Sequence, residues 1–143
     1  MSLNSVFRAD IFANRVALVS GGGSGIGLRT ARELAQLGAT VYICGRDPEK
    51  LERAVALARE ADDRELRAIP CNIRKAEEVS ALVEKIVSET GRVNLLVNNA
   101  GGQFPSPAEK ISAKGWHAVI DTNLNATFQM SQSVFAHGMR AQA

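Results

Sequence analysis

Val16-Ala-Leu-Val-Ser20-Gly21-Gly-Gly-Ser24-Gly25-Ile26-Gly27 is the stretch on which the fold of this 143-residue chain turns. A short apolar run, Arg15 to Val19, stops at a string of glycines and reads as a buried strand. The residues from Gly25 to Leu37 read as a helix, and Gly38 supplies its C-terminal stop. The unit is strand, glycine turn, helix.

The same alternation continues outward. Thr40 to Cys44 is β-branched and aromatic, a second strand. Asp47-Pro48 then offers an N-cap and a favoured first helical residue, followed by Leu51, Ala54, Val55 and Ala58 at helical spacing. Leu66 to Cys71 is a third strand. Lys75 to Thr90 is a helix with Val79, Leu82, Val83 and Ile86 on one face, ended by Gly91. Val93 to Val97 is a fourth strand. After a Gly/Pro-rich loop from Gly101 to Pro107 come two helical segments, around Trp116 to Ile120 and from Asn123 onward, with Trp116 and Phe128 expected in the core. Short strands alternating with helices imply right-handed crossovers and a parallel sheet. Four strands fit the order 3-2-1-4, the N-terminal half of a doubly wound, Rossmann-like α/β fold. Residues 1–14 read as an extension and residues 15–143 as one dinucleotide-binding domain.

The glycine loop sits where phosphate binding requires it. Gly21 makes a tight turn, Gly25 lets a pyrophosphate approach the backbone, and Gly27 lets the helix pack on the strand. Free N–H groups at the helix start, with the positive end of its dipole, then face the phosphates. A glycine-rich turn without a ligand is the plain alternative. A triphosphate-binding loop is disfavoured, because Gly27 is followed by Leu28-Arg29-Thr30 and the required lysine is missing. Dinucleotide sites for NAD usually place a carboxylate at the end of strand two. Here the strand ends at Cys44-Gly45-Arg46: the acid is absent and a guanidinium can pair with a 2′-phosphate. NADP(H) is favoured over NAD(H), with a solvated surface charge as the plain reading of Arg46.

Two motifs carry a resemblance. Ser20-Gly21-x-x-x-Gly25-Ile26-Gly27 and Asn98-Asn99-Ala100-Gly101 each follow their own strand, and together they resemble the short-chain dehydrogenase/reductase family, with Ser20 where the family carries Thr. The resemblance runs from about Val16 to the end. It implies that Gly21, Ser24, Gly25, Ile26, Gly27, Arg46, Asn72, Ile73, Asn99, Ala100 and Gly101 bind the cofactor. Asn72 stands where an Asp usually holds the adenine amino group, and its carbonyl can still accept a hydrogen bond. Asn123 matches the active-site Asn that orders a proton-relay water. Asn98 and Asn99 as strand-end caps, and Asn123 as a helix N-cap, are the plain alternatives. Cys71-Asn-Ile-Arg74, Gly101-Gly-Gln-Phe104, Ser106-Pro-Ala-Glu109 and Lys114-Gly-Trp-His-Ala-Val119 resemble the branch that includes peroxisomal trans-2-enoyl-CoA reductase. That implies NADPH-dependent reduction of a 2-enoyl thioester, with the loop after Gly102 bordering the acyl site. A carbonyl/alcohol oxidoreductase acting on 3-oxoacyl or hydroxyacyl substrates and a non-catalytic dinucleotide-binding fragment are the competing readings.

The family's Tyr-x-x-x-Lys pair does not occur here, and the only tyrosine is Tyr42. The C-terminal half of the fold is therefore expected to be missing. The isolated chain is expected to be inactive and poorly soluble, and the whole protein to be a homo-oligomer joined through Asn123 to Arg140. Composition adds limits. Net charge is +2 without a basic run, so nothing points to nucleic acid or a lipid surface. Cys44 and Cys71 lie in apolar stretches and read as reduced core residues. No metal-ligand spacing, secretory signal or membrane-length apolar run is present. These features lead to an expected cytoplasmic location, or a peroxisomal one in a eukaryote, and a small-molecule substrate.

Overall fold

A computed structural model describes residues 6–140. In chain order it contains β1 (Val16–Ser20), α1 (Gly25–Gln36), β2 (Thr40–Gly45), α2 (Pro48–Asp62), β3 (Leu66–Pro70), α3 (Ala76–Thr90) and β4 (Leu95–Val97). A single 3-10 turn follows at Ala108–Lys110. Next is one helical rod made of α4 (Ala113–Ile120), a π turn (Asp121–Asn125), α5 (Ala126–Ser133) and a second π turn (Val134–Met139).

The sheet order is β3-β2-β1-β4, and every pairing is parallel. Val16 lies opposite Thr40 and Ala17 opposite Leu95. Alternation along the strands divides the core into two layers. Ala17, Val19, Val41 and Ile43 pack with Ala31, Leu34, Leu51 and Ala54 of α1 and α2. Val16, Leu18, Tyr42 and Cys44 pack with Val79, Leu82, Ile86 and Met130 of α3 and α5. All four residues of β1 from Val16 to Val19 are buried. A strand covered on both faces has to be apolar throughout, which is the habit of parallel sheets.

Local chemistry sets most boundaries. Asp47 Oδ1 accepts from Lys50 N–H at 3.1 Å, so α2 is capped as the Asp-Pro pair predicts. Gly38 (φ +93°) and Gly91 (φ +77°) turn in the left-handed region past α1 and α3. Part of the expected extension lies outside the described residues. The rest docks on the α1–β2 corner, where Phe12 N–H donates to Leu37 O at 2.9 Å.

Three expectations need correction. β4 begins at Leu95, not Val93. Asn94 N–H donates to Val16 O at 2.8 Å, but Val16 N–H is taken by the Asn94 side-chain Oδ1 at 2.8 Å, while buried Val93 donates to Gly138 O at 3.1 Å. The last two helical segments are one rod. Trp116 and Phe128 are 55% and 66% exposed rather than core. The core-facing positions of the rod are Ala126, Met130 and Val134, four residues apart, so Phe128 falls on another face. Among the described residues, no helix is long and apolar enough to cross a membrane.

One buried ion pair locks the two helices of the first layer. Arg32 of α1 reaches Asp62 of α2 through both Nε and Nη2, and the Asp62 side chain is fully buried. Removing one partner would strand the other charge. Asp62→Ala is expected to lower stability by about 3–5 kcal/mol in urea denaturation, and Arg32→Met with Asp62→Leu to recover most of that loss.

Candidate functional site

The C-terminal ends of β1 and β4 are joined by side chains. Ser20, 1% exposed, accepts on Oγ from Asn99 N–H (3.1 Å) and Ala100 N–H (3.0 Å) and donates to Val97 O (3.3 Å). Asn99 Nδ2 returns the contact, donating to Ser20 O at 3.0 Å and Gly21 O at 3.3 Å. Asn99 therefore ties two strand ends together, which is more than the cap that turn statistics suggest.

This contact leaves no room for a side chain at Gly21 or Gly27. A Cβ on Gly21 would stand 2.9 Å from Ala100 Cα, and φ there is +66°. A Cβ on Gly27 would collide with the Asn99 amide and Gly21 O. Gly25 lies at φ +55° with open space around it. Ser24, at the N-cap of α1, accepts no hydrogen bond on its side chain. The first-turn N–H groups of α1 therefore lack a side-chain cap and keep their capacity to bind an acceptor.

The turn opens into a cleft of about 690 Å³. Of the residues singled out from sequence, Gly21, Ser24, Ile26, Gly27, Arg46, Asn72, Ile73, Asn99, Ala100 and Gly101 line it. Gly25 and Asn123 do not, although Thr122 does. Sequence reasoning missed Lys50, Arg74 and Cys71, which line it too. Lys50 was legible only as the residue one helical turn past Arg46. Arg74 and Cys71 flank the Asn72-Ile73 pair, but Cys71 read only as a core residue and Arg74 carried no role of its own.

Asn72 organises its own corner. Its Oδ1 accepts Arg74 N–H at 3.2 Å, and its N–H donates to Glu78 Oε2 at 2.6 Å. Lys75, and then that backbone N–H, hold the Glu78 carboxyl below its ordinary range. Ile73 is buried beneath. Cys44 and Cys71 are free, buried thiols, as expected of core residues. Hydrogen bonding with Cys71, then burial, pushes the Cys44 thiol well above its usual range.

Asn123 sits inside the first π turn and not at a helix start. Its amide clamps the loop after β4: Oδ1 accepts Gly102 N–H at 3.2 Å, and Nδ2 donates to Gly102 O at 2.7 Å and Val119 O at 2.8 Å. A Cβ on Gly101 would stand 2.7 Å from that Oδ1. The Asn123 carbonyl accepts the Thr127 hydroxyl at 2.9 Å. Phe104 covers Gly115, where a Cβ would lie 2.8 Å from the ring.

Comparison with known proteins fits this geometry. The chain is 32% identical over 130 residues to a peroxisomal 2,4-dienoyl-CoA reductase of Danio rerio, covering 91% of this chain and 43% of that protein. A citronellol catabolism dehydrogenase of Pseudomonas aeruginosa PAO1 superposes with TM-score 0.92 at 42% identity, over 99% of this chain and 57% of that one. Actinorhodin polyketide ketoreductase, solved with NADPH, superposes with TM-score 0.84 at 36% identity, over 90% of this chain and 49% of that one. The chain spans about half the length of the curated relatives it matches. The short chain dehydrogenase profile matches residues 15–143, and with these likenesses it shows that the chain belongs to the short-chain dehydrogenase/reductase family.

Proposed function

We propose that the cleft binds NADPH and that the whole protein reduces a trans-2-enoyl-CoA thioester. The observation that carries the reading is the side-chain-free turn of Gly21 and Gly27 leading into the uncapped N-terminus of α1. Donors of that kind suit a pyrophosphate. Gly21, Ser24, Gly25, Ile26 and Gly27 would hold the pyrophosphate, and Asn72 and Ile73 the adenine. Asn99, Ala100 and Gly101 would line the adenosine and ribose, with Arg46 on the 2′-phosphate. Asn123 clamps Gly102, and so orients the loop that would border the acyl group.

The bound dinucleotide would supply hydride to the β-carbon of the enoyl thioester, and a proton would reach the α-carbon. This chain's contribution is to bind and orient. The family likeness supports a role for Asn123 in ordering a water on the proton path. The likeness to a ketoreductase supports a second reading, reduction of a 3-oxoacyl thioester to the 3-hydroxy product. Consumption of NADPH by the whole protein, with a trans-2-enoyl-CoA and a 3-oxoacyl-CoA in parallel, separates the two. Turnover of the oxo substrate alone would sink the enoyl reading, and NADPH binding without turnover of either would leave a binding module.

Two substitutions test the cleft. Gly27→Ala forces a methyl against Asn99 and is expected to lower stability by about 1–3 kcal/mol, while weakening NADPH and NADH alike. Arg46→Gln is expected to weaken NADPH roughly tenfold and to leave NADH within about twofold, since one charge-assisted contact is lost. Fluorescence titration of both nucleotides measures each effect. An Arg46→Gln protein with unchanged NADPH affinity would remove the basis for choosing NADPH.

A further inference from the structure

We propose that Lys50 is a second cation for the phosphate on the adenosine ribose, laid into place by the missing side chain of Gly23. The inference rests on the reading that the cleft takes a phosphorylated dinucleotide.

Backbone conformation does not explain Gly23, whose φ, like those of Gly22 and Gly27, lies outside the left-handed region. Its surroundings do explain it. A Cβ there would stand 3.1 Å from Lys50 Cγ and 3.4 Å from Cδ. The lysine stem thus lies across the loop backbone, and the long apolar stem packs while the ammonium remains at the cleft. The base of that stem is fixed as well, since Asp47 Oδ1 holds the Lys50 N–H.

Charge pairing supports the same assignment. Arg46, Lys50 and Arg74 all line the cleft. Arg74 is paired with Asp121 at 3.6 Å. Neither Arg46 nor Lys50 has an ion-pair partner among the described residues. Arg46 directly precedes the Asp47 cap and Lys50 lies in the first turn of α2, where the helix dipole also favours an anion. Of the two carboxylates between them, Asp47 caps α2 and Glu49 is paired with Arg53 at 3.7 Å. Two cations without an ion-pair partner, in a lining that also holds the Ser24 hydroxyl, suit a phosphate monoester better than a neutral ribose hydroxyl. Arg46 alone marks the subsite in the sequence, and the course of the Lys50 stem over Gly23 is visible only in the folded chain.

The test is fluorescence titration of the full chain with NADPH and NADH, as wild type, Lys50→Gln, Lys50→Arg and Gly23→Ala. Lys50→Gln is expected to weaken NADPH roughly tenfold and to move NADH by less than about twofold. Lys50→Arg is expected to retain most of the preference. Gly23→Ala displaces the stem, so it should lower the NADPH-to-NADH ratio in wild type and add nothing to that ratio in the Lys50→Gln background. Equal weakening of both nucleotides by Lys50→Gln would place Lys50 on a phosphate common to both and overturn the proposal. No change in either would overturn it as well. A wild-type chain that binds neither nucleotide would defeat the reading of the cleft itself, and the Lys50 assignment with it.

Discussion

The closure of the β1 end onto the β4 end is the constraint from which the site follows. Ser20 Oγ accepts two N–H groups from the chain after β4, and Asn99 Nδ2 donates in return to the carbonyls of Ser20 and Gly21. Four partly buried hydrogen bonds fix the separation of two backbones. Once that separation is fixed, no Cβ fits at Gly21 or Gly27. The glycines are therefore consequences of the Ser20–Asn99 contact as much as determinants of the loop. The buried Ser20 hydroxyl is tolerated there because it both donates and accepts.

Topology turns that closure into a cleft. The chain leaves β1 toward β2 on one side and returns beyond it to β4 on the other. α1 and α2 cover one face, while α3 and α5 cover the opposite face. At the point where the order reverses, the connections diverge and leave a crevice beyond the strand ends. The glycine turn, the start of α2, the Asn72 corner and the loop after β4 all meet there. Their charges differ in kind. Arg74 and Lys75 are paired with Asp121 and Glu78, whereas Arg46 and Lys50 carry no such carboxylate among the described residues.

The rod from Ala113 to Met139 connects the cleft to the loop after β4. A π turn places one extra residue in the helix, and here it carries Asn123, whose amide reads both polar groups of Gly102. A straight helix would rotate that side chain away. π turns of this kind recur at functional positions. The second π turn brings Gly138 against Val93, where a Cβ would stand 3.1 Å from the valine side chain. The rod is thereby anchored to the segment before β4 at one end and to the loop after it at the other.

The strands, helices and their order were legible in the chain itself, because apolar runs, Asp47-Pro48 and the stops at Gly38 and Gly91 act through neighbours a few residues away. The glycine loop and Asn98-Asn99-Ala100-Gly101 were legible for the same reason, each following its own strand. What sequence could not supply were distances between residues far apart in the chain. The Ser20–Asn99 contact spans 79 positions, and the Asn123 clamp on Gly102 spans 21. Helical periodicity could not foresee the π turns, so a continuous rod read as two segments and Phe128 read as core. Local propensity and hydrophobic pattern determined the elements and the sheet order. Only tertiary packing decided which cations lack a partner, which glycines have no room to change, and which face of the last helix meets the sheet, since each depends on atoms that the chain brings together only when folded.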